Sequence, residues 1–323
     1  MSHSSESAHT ECAVSIVVVN WNTRDILFDC LQSIENQTTL PHEVIVVDNA
    51  SSDGSADMVR QNFSKVKLIA NSANRGFAAA NNQGLEIAVG EKLLLLNPDT
   101  IILDHAIDDM CAWLDAHADV GCVGCQVFED ADTIQRTCFA DPGPLNLALI
   151  EFGLYRLAPR HPLLGRPEYG DWNRDSERDV DVVSGMFMLV PRHVFETVGL
   201  LDEAFFVYSE EADWCRRIRD AGWRCVFAPE ARILHLEGGS KSTVQIKSRM
   251  YVQKQKSKMI YTRKHYGWFG ALCAKSVFLC SAILRGAAFG LANLARSTPD
   301  HKARVRLARD VIRFHLFGWE PAA

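Results

Sequence analysis

Acidic side chains are missing from one long stretch of this chain: residues 238–299 contain no Asp or Glu. The same stretch carries eleven basic residues, Lys241, Lys247, Arg249, Lys254, Lys256, Lys258, Arg263, Lys264, Lys275, Arg285 and Arg296. Residues 1–237 are the reverse, with 18 basic and 37 acidic side chains, so the formal net charge of −6 hides two opposed regions. That asymmetry predicts an acidic body with a basic tail directed at an anionic surface. Other absences narrow the function. Residues 1–12 have no apolar core, which argues against a signal peptide and reads as a disordered lead-in. Cys122 and Cys125 form a C-x-x-C with no second pair, so the apolar run Val120–Val127 reads as strand or core and not as a zinc site. Ten scattered cysteines in apolar context fit a reducing compartment. No G-x-G-x-x-G follows the first apolar run, which counts against a dinucleotide-binding domain, and no G-x-x-x-x-G-K-[ST] supports a phosphate-loop NTPase. There is no internal repeat and no low-complexity tract.

What is present is an alternation. Val14 to Val19 is a β-branched run, a first strand; Thr23 is placed to cap a helix to about Asn36. Val44 to Val47 is a second strand ending at Asp48, and Ser51-Ser52-Asp53-Gly54 is a turn and helix start. Val66 to Ala70, Ala78 to Val89 and Leu93 to Leu96 read as strand, helix and strand. This order predicts an α/β fold with a mostly parallel sheet covered on both faces. Residues 137–180 are rich in Pro, Gly, Arg and aromatics, and read as a long functional loop or lid. Val180 to Val190 resumes strand character, Glu210 to Ala221 reads as a helix stopped by Gly222, and residues 244–316 as two or three basic or amphipathic helices.

Asn97-Pro98-Asp99-Thr100 follows the apolar run Leu93–Leu96, so a carboxylate sits at the end of a central strand, where open α/β sheets bind ligands. A hard cation such as Mg²⁺ or Mn²⁺ takes one or two carboxylates plus phosphate oxygens, which suits a nucleoside diphosphate; a plain Pro-Asp turn is the alternative. The other strand ends carry Asn20 and Asn22, then Asp48, then Asn74-Arg75-Gly76. Asp48 fits a base or ribose as well as a turn. Gly76 permits an unusual backbone angle or a close approach to a ligand.

Four segments, Val14-Ser-Ile-Val-Val-Val-Asn-Trp-Asn, Val46-Val-Asp-Asn-Ala-Ser-Ser-Asp-Gly-Ser, Asn74-Arg-Gly-Phe-Ala-Ala-Ala-Asn-Asn and Asn97-Pro-Asp-Thr, closely resemble family 2 glycosyltransferases, in particular the rhamnosyltransferase-like branch. The likeness continues through Ser184-Gly-Met-Phe-Met-Leu-Val-Pro-Arg and Phe205-Phe-Val-Tyr-Ser-Glu-Glu-Ala-Asp-Trp-Cys, over about residues 13–240. It implies a GT-A fold, a nucleotide-sugar donor, a divalent metal (Mg²⁺ or Mn²⁺) and inversion at the anomeric carbon. By resemblance, Asn20, Asn22 and Asp48 hold base and ribose; Asp53, Asn74, Arg75 and Gly76 belong to the donor pocket. Asp99 is the last acid of a D-x-D metal motif whose first acid is here Asn97, and His235 completes the metal or diphosphate site. The paired Glu210 and Glu211 replace a Glu-Asp motif, with Glu211 aligned to the base and Glu210 its alternate. Gly185, Asp202, Asp213 and Trp214 fall on the acceptor side. Asp213 also suits a pair with Arg216 or Arg217, and Trp214 suits either a sugar face or the core.

The implied division is a catalytic domain, residues 13–240, with a donor half to about 128 and an acceptor half from 129, followed by a helical region, 241–323. Trp268 to Ala295 is apolar but interrupted by Lys275 and Arg285. A central arginine costs about 2.5–3.5 kcal/mol on insertion, so a helix lying in the interface is expected and not a span. The expected partners are a nucleotide sugar (dTDP-rhamnose by subfamily resemblance), a glycan or polyprenyl-diphosphate-linked acceptor, and an anionic membrane surface at the cytoplasmic face of the inner membrane. No nucleic acid is expected. A non-catalytic nucleotide-sugar or glycan-binding relative is the rival reading; Asp99 and the paired glutamates argue against it. A nucleotidyltransferase lacks its triphosphate loop here.

Overall fold

A computed structural model describes residues 12–130, 132–236 and 247–321. The lead-in to residue 11 and the glycine pair at 238–239 therefore lie outside the described residues. The β-branched run forms β1 (Val14–Asn20), buried throughout. It is followed by α1 (Arg24–Gln37), β2 (His42–Asp48), α2 (Ser55–Asn62), β3 (Lys67–Ala70), α3 (Phe77–Ile87) and β4 (Lys92–Leu96). Next come β5 (Thr100–Ile102), α4 (Ala106–Asp115), β6 (Val120–Phe128), β7 (Cys138–Phe139) and α5 (Pro144–Glu151). The remainder is β8 (Arg178–Asp179), β9 (Val182–Val183), β10 (Phe187–Pro191), α6 (Arg192–Val198), α7 (Glu210–Asp220), β11 (Arg224–His235), α8 (Lys247–Ala295) and α9 (Pro299–Phe317).

One sheet runs in the order β3-β2-β1-β4-β10-β6-β11-β5, with β8 on β11. The strands are parallel except β10, β5 and β8, which pair antiparallel. The sheet crosses the boundary between the two expected halves without a break. Alternate residues of each strand feed opposite cores, as a two-residue period requires. Val17, Val19, Leu93 and Leu95 pack on the face that holds α3 and α7. Ile16, Val18, Leu94 and Leu96 pack on the face that holds α1 and α4. Cys122 and Cys125 are buried strand residues, one in each core.

Several expectations change. Thr23 makes no side-chain cap; its hydroxyl donates to Asn20 instead. The run Val180–Val190 is two strands, because a turn at Ser184–Met186 sends β9 to β7 and β10 into the main sheet. The irregular region hides α5, which begins at a proline in its first turn. The two C-terminal helices include one break: Gly267, at φ 68°, kinks α8 into arms 247–266 and 268–295.

The first arm of α8 lies on the body. The lysines expected to face lipid are engaged there: Lys254 sits over the Tyr208 ring, Lys256 pairs with Glu320, and burial lowers the Lys258 ammonium's pKa. Lys264 bridges Asp202 and Asp213. Acids of the body thus answer Lys264 and, at Glu151, Arg285, while Lys256 is answered by the C-terminal segment; Arg249, Lys254 and Arg263 of the same arm stay exposed.

Candidate active site

The parallel strands deliver their carboxyl ends to one edge of the sheet. Asn20 closes β1, Asp48 closes β2, Asp99 follows β4 and His235 closes β11. Gly185 reaches the same edge from the antiparallel side, just before β10.

The asparagine-rich part of this edge is a closed network. Asn20 is fully buried; its amide donates to Asp48 Oδ1 at 2.9 Å and Ser51 Oγ at 3.1 Å. Its Oδ1 accepts from the Thr23 hydroxyl at 2.5 Å. Asp48 Oδ2 accepts from Ser51 N at 3.0 Å. Asn22, at φ 57°, accepts from Ser52 N at 2.7 Å. Asp53 accepts from Arg24 N at 2.9 Å and Ser55 N at 3.0 Å, so it ties the starts of α1 and α2. Asn49, which the sequence did not single out, donates to Asn74 Oδ1 at 3.0 Å and the Gly76 carbonyl at 3.1 Å, and accepts from Arg75 N at 2.9 Å. Its only signal was its place beside Asp48. The close approach at Gly76 is to protein: at φ 87°, an added Cβ would lie 2.4 Å from the Phe206 carbonyl. Arg75 is exposed beside it.

The opposite corner is open-ended. His235 Nε2 lies 3.3 Å from Asp99 Oδ1. That is ion-pair range, but Asp99 Oδ1 and His235 Nδ1 are buried with no hydrogen-bond partner among the described residues. Backbone holds the corner: Leu236 N donates to the Asp99 carbonyl at 2.9 Å, and Asn97 N to Met186 O at 3.2 Å. The segment before α7 folds over this edge, with Phe77 N donating to Phe206 O at 2.6 Å. Tyr208 and Ser209 both take the left-handed conformation, at φ 71° and 69°. Such strained pairs persist where packing over-determines them, and here they turn the chain into the glutamates. Glu210 Oε2 and Glu211 Oε2 are also buried without hydrogen-bond partners among the described residues. Burial, then the neighbouring Glu211 charge, pushes the Glu210 carboxyl well above its usual range. Burial lifts Glu211 to about 6.

A family model, "Glycosyltransferase like family 2", matches residues 12–255. The chain belongs to that family. N-acetylglucosaminyl-diphospho-decaprenol L-rhamnosyltransferase of Mycobacterium tuberculosis is 27% identical over 272 residues, covering 79% of this chain and 86% of that protein. The O-antigen biosynthesis protein RfbC of Myxococcus xanthus is 28% identical over 231 residues, 71% of this chain and 18% of that one. Two solved structures share the fold. A mannosyltransferase of Pyrobaculum calidifontis, in complex with GDP-Man and Mn²⁺, has a TM-score of 0.53 at 17% identity and covers 96% of this chain and 88% of its own. GalNAc-T7 with UDP, GalNAc and Mn²⁺ has a TM-score of 0.56 at 15% identity, covering 93% and 55%. The fold is GT-A.

Within this glycosyltransferase, three residues expected on the acceptor side are engaged inside the fold. Trp214 is fully buried in the core and its indole N–H donates to Gly199 O at 3.0 Å, so it presents no face to a sugar. Asp213 is fully buried and binds Arg217 at 2.9 Å, Lys264 at 2.8 Å and His265 at 2.8 Å. It pairs with Arg217, whereas Arg216 turns to Asp220 and Asp141. Asp202 is spent on Lys264 at 2.6 Å. Together with the Tyr261 and Tyr266 hydroxyls on Asp141, and Ser257 Oγ on the Val207 carbonyl, these contacts clamp α7 and the loop before it to the first arm of α8.

The corner fits a divalent cation. Among the described residues no group of three or more His, Cys, Asp or Glu side chains could hold a metal. Asp99 and His235 offer two ligands, the number a hard ion needs when phosphate oxygens and water supply the rest.

Proposed function

We propose that this enzyme transfers a sugar, with inversion, from a nucleotide donor to a lipid-linked glycan. The observation that carries the reading is the set of buried polar atoms left without hydrogen-bond partners among the described residues: Asp99 Oδ1, His235 Nδ1, Glu210 Oε2 and Glu211 Oε2. Buried polar groups in folded proteins are almost always satisfied, so such a set at one sheet edge supports a ligand site there.

Asp99 and His235 would hold Mg²⁺ or Mn²⁺, the imidazole favouring Mn²⁺ of the two. When bound, such an ion would supply positive charge against the departing diphosphate. Asp48 keeps free lone pairs for base or ribose, Arg75 is the exposed cation available to donor phosphates, and Asn97 lies at the entrance of the metal corner. Glu211, ionised at neutral pH, takes the proton of the acceptor hydroxyl. Glu210 stays protonated, because two carboxylates side by side in a buried site cannot both ionise cheaply. Asn20, Asn22, Asp53, Asn74 and Gly76 act as the frame around the donor. Gly185 leaves the acceptor side uncrowded, with only the Phe77 ring near its open position.

The rhamnosyltransferase relative supports a deoxyhexose such as rhamnose from dTDP-rhamnose, and an acceptor on a lipid diphosphate. Attachment to the cytoplasmic membrane face follows from that acceptor and from α8. This helix is long and apolar enough to cross a membrane by length and composition. Its second arm exposes Trp268, Phe269, Leu272, Leu284, Leu291 and Leu294, and Arg285 interrupts it. A helix lying in the interface suits this pattern.

The test is a donor panel with Mn²⁺ and membrane extract as acceptor, followed by release of nucleoside diphosphate. Turnover that requires both metal and lipid extract is expected. Tight donor binding without any release, hydrolysis or transfer would favour the non-catalytic rival.

A further inference from the structure

A second cavity lies away from the catalytic corner. It has a volume of about 430 Å³ and opens between α5, both arms of α8, and α9. Its size falls in the range of small-ligand sites. Phe278, Phe289, Leu307 and Val311 give it apolar walls, while Arg156, Arg285 and Arg304 line it with three guanidiniums against one carboxylate, Glu151. The bland reading is a gap between helices over which arginines lay their stems. Two features exceed that reading. Arg156 has no acidic partner among the described residues; its Nε donates only to the Tyr155 hydroxyl at 2.9 Å. And the residues adjoining the lining in the chain, Phe152, Leu157, Ile283 and Leu284, are exposed apolar side chains. Guanidiniums converge on phosphate, and exposed apolar groups of this extent call for a lipid or a partner surface.

We propose that this cavity binds a single-chain lipid diphosphate, with the diphosphate on Arg156, Arg285 and Arg304 and the start of the chain against Phe278, Phe289 and Leu307. It rests on the reading that the acceptor is lipid-linked, and it assigns the lipid end of that acceptor to the C-terminal helices, apart from the glycan end at Glu211. Arg285 is partly held already, its Nη1 donating to Tyr251 at 3.0 Å and standing 3.7 Å from Glu151. Arg304 pairs with Asp300 at 2.7 Å, and its guanidinium lies over the Phe289 ring, 4.9 Å from the centroid. Arg156 is therefore the guanidinium with most to gain.

The experiment uses the full chain and farnesyl diphosphate as probe, measured by calorimetry. Arg156→Gln and Arg304→Gln remove charge from exposed positions; Ala308→Leu fills the cavity from α9. Each is expected to weaken farnesyl diphosphate binding by about tenfold, while Mn²⁺-dependent nucleoside diphosphate binding, read on the same samples, stays unchanged. Inorganic diphosphate is expected to bind more weakly than the farnesyl ester. Equal affinity for the two, or farnesyl diphosphate binding indifferent to all three substitutions, overturns the proposal. So does an absence of farnesyl diphosphate binding alongside substitution-sensitive capture by phosphatidylglycerol vesicles, which assigns the cavity to bulk phospholipid. Loss of nucleoside diphosphate binding in wild type would instead strike at the glycosyltransferase reading itself.

Discussion

The two ends of the functional edge use similar residues in opposite physical states. At the donor end, Asn20 satisfies Asp48, Asn49 satisfies Asn74, Asp53 is held by Arg24 N and Ser55, and Asn20 has both amide hydrogens and its oxygen engaged. At the catalytic end, Asp99, His235, Glu210 and Glu211 each keep a buried atom without a partner among the described residues. A satisfied network fixes backbone shape; an unsatisfied one stores a preference for whatever ligand completes it. Motif residues of the first kind should therefore matter most for stability, and those of the second for chemistry.

The sharpest break of that contrast is at Glu211. Glu211→Gln should lower turnover by about 10²- to 10⁴-fold, the scale of general-base loss, with donor affinity unchanged. The same change should stabilise the protein at alkaline pH. Burial raises the folded-state value of Glu211 to about 6 from 4.5, so the folded state binds more protons within that window and stability falls as pH rises through it. Gln removes that penalty, worth about 1–2 kcal/mol at pH 8 and nothing near pH 4. Parallel denaturation curves at both pH values check the sign, and kcat/KM of the wild type should rise through pH ~6. If Glu210→Gln carries the kinetic loss instead, the base is the neighbouring residue.

At Asp99 the expected loss is in metal-assisted binding. Asp99→Asn should cut the gain in nucleoside diphosphate affinity that Mn²⁺ provides by about tenfold to a hundredfold, the range seen when metal ligation is weakened. Affinity measured without metal should hardly change. Titrations with Mn²⁺ and with a chelator make the comparison; an intact Mn²⁺ effect in the variant removes Asp99 from the site.

On the satisfied side, Asn20→Ala should cost about 3 kcal/mol of stability, since it strips donors from buried Asp48 and Ser51 and an acceptor from Thr23. A lower urea midpoint with near-normal kcat for the folded fraction is the expected outcome. A large kcat loss at unchanged stability would move Asn20 from the frame to the ligand.

How much of this was legible beforehand follows from range. Strand-end residues such as Asp48 and Asp99 could be placed from the alternation of elements, because a parallel sheet brings its carboxyl ends to one edge. The antiparallel β10 and the short β5 depend on pairings across 91 and 131 residues, Leu96 with Phe187 and Ile102 with Ile233, which no local pattern encodes. The same holds for the tail. Its acid-free composition was plain, but that Lys264 answers Asp202 and Asp213 required knowing that α8 folds back on α7 and the loop before it. Gly76 shows the limit from the other side: its tolerance of a positive φ was readable, but not that the Phe206 carbonyl fills the space where a Cβ would lie.

The smallest expected effect separates core from acceptor pocket. Trp214 is fully buried and gives its indole hydrogen to the Gly199 carbonyl at 3.0 Å. Trp214→Phe loses that bond and some volume, about 1–2 kcal/mol in all, which lowers Tm by a few degrees in a domain of this size. A residue that stacks on sugar would behave differently: its loss would raise KM for the acceptor while leaving Tm nearly unchanged. Melting curves and acceptor titrations at a temperature where both proteins are folded distinguish the two. A lower Tm with the same acceptor KM keeps Trp214 in the core, where it holds α7, and with it Glu210 and Glu211, against Gly199; the reverse pattern would return it to the acceptor side.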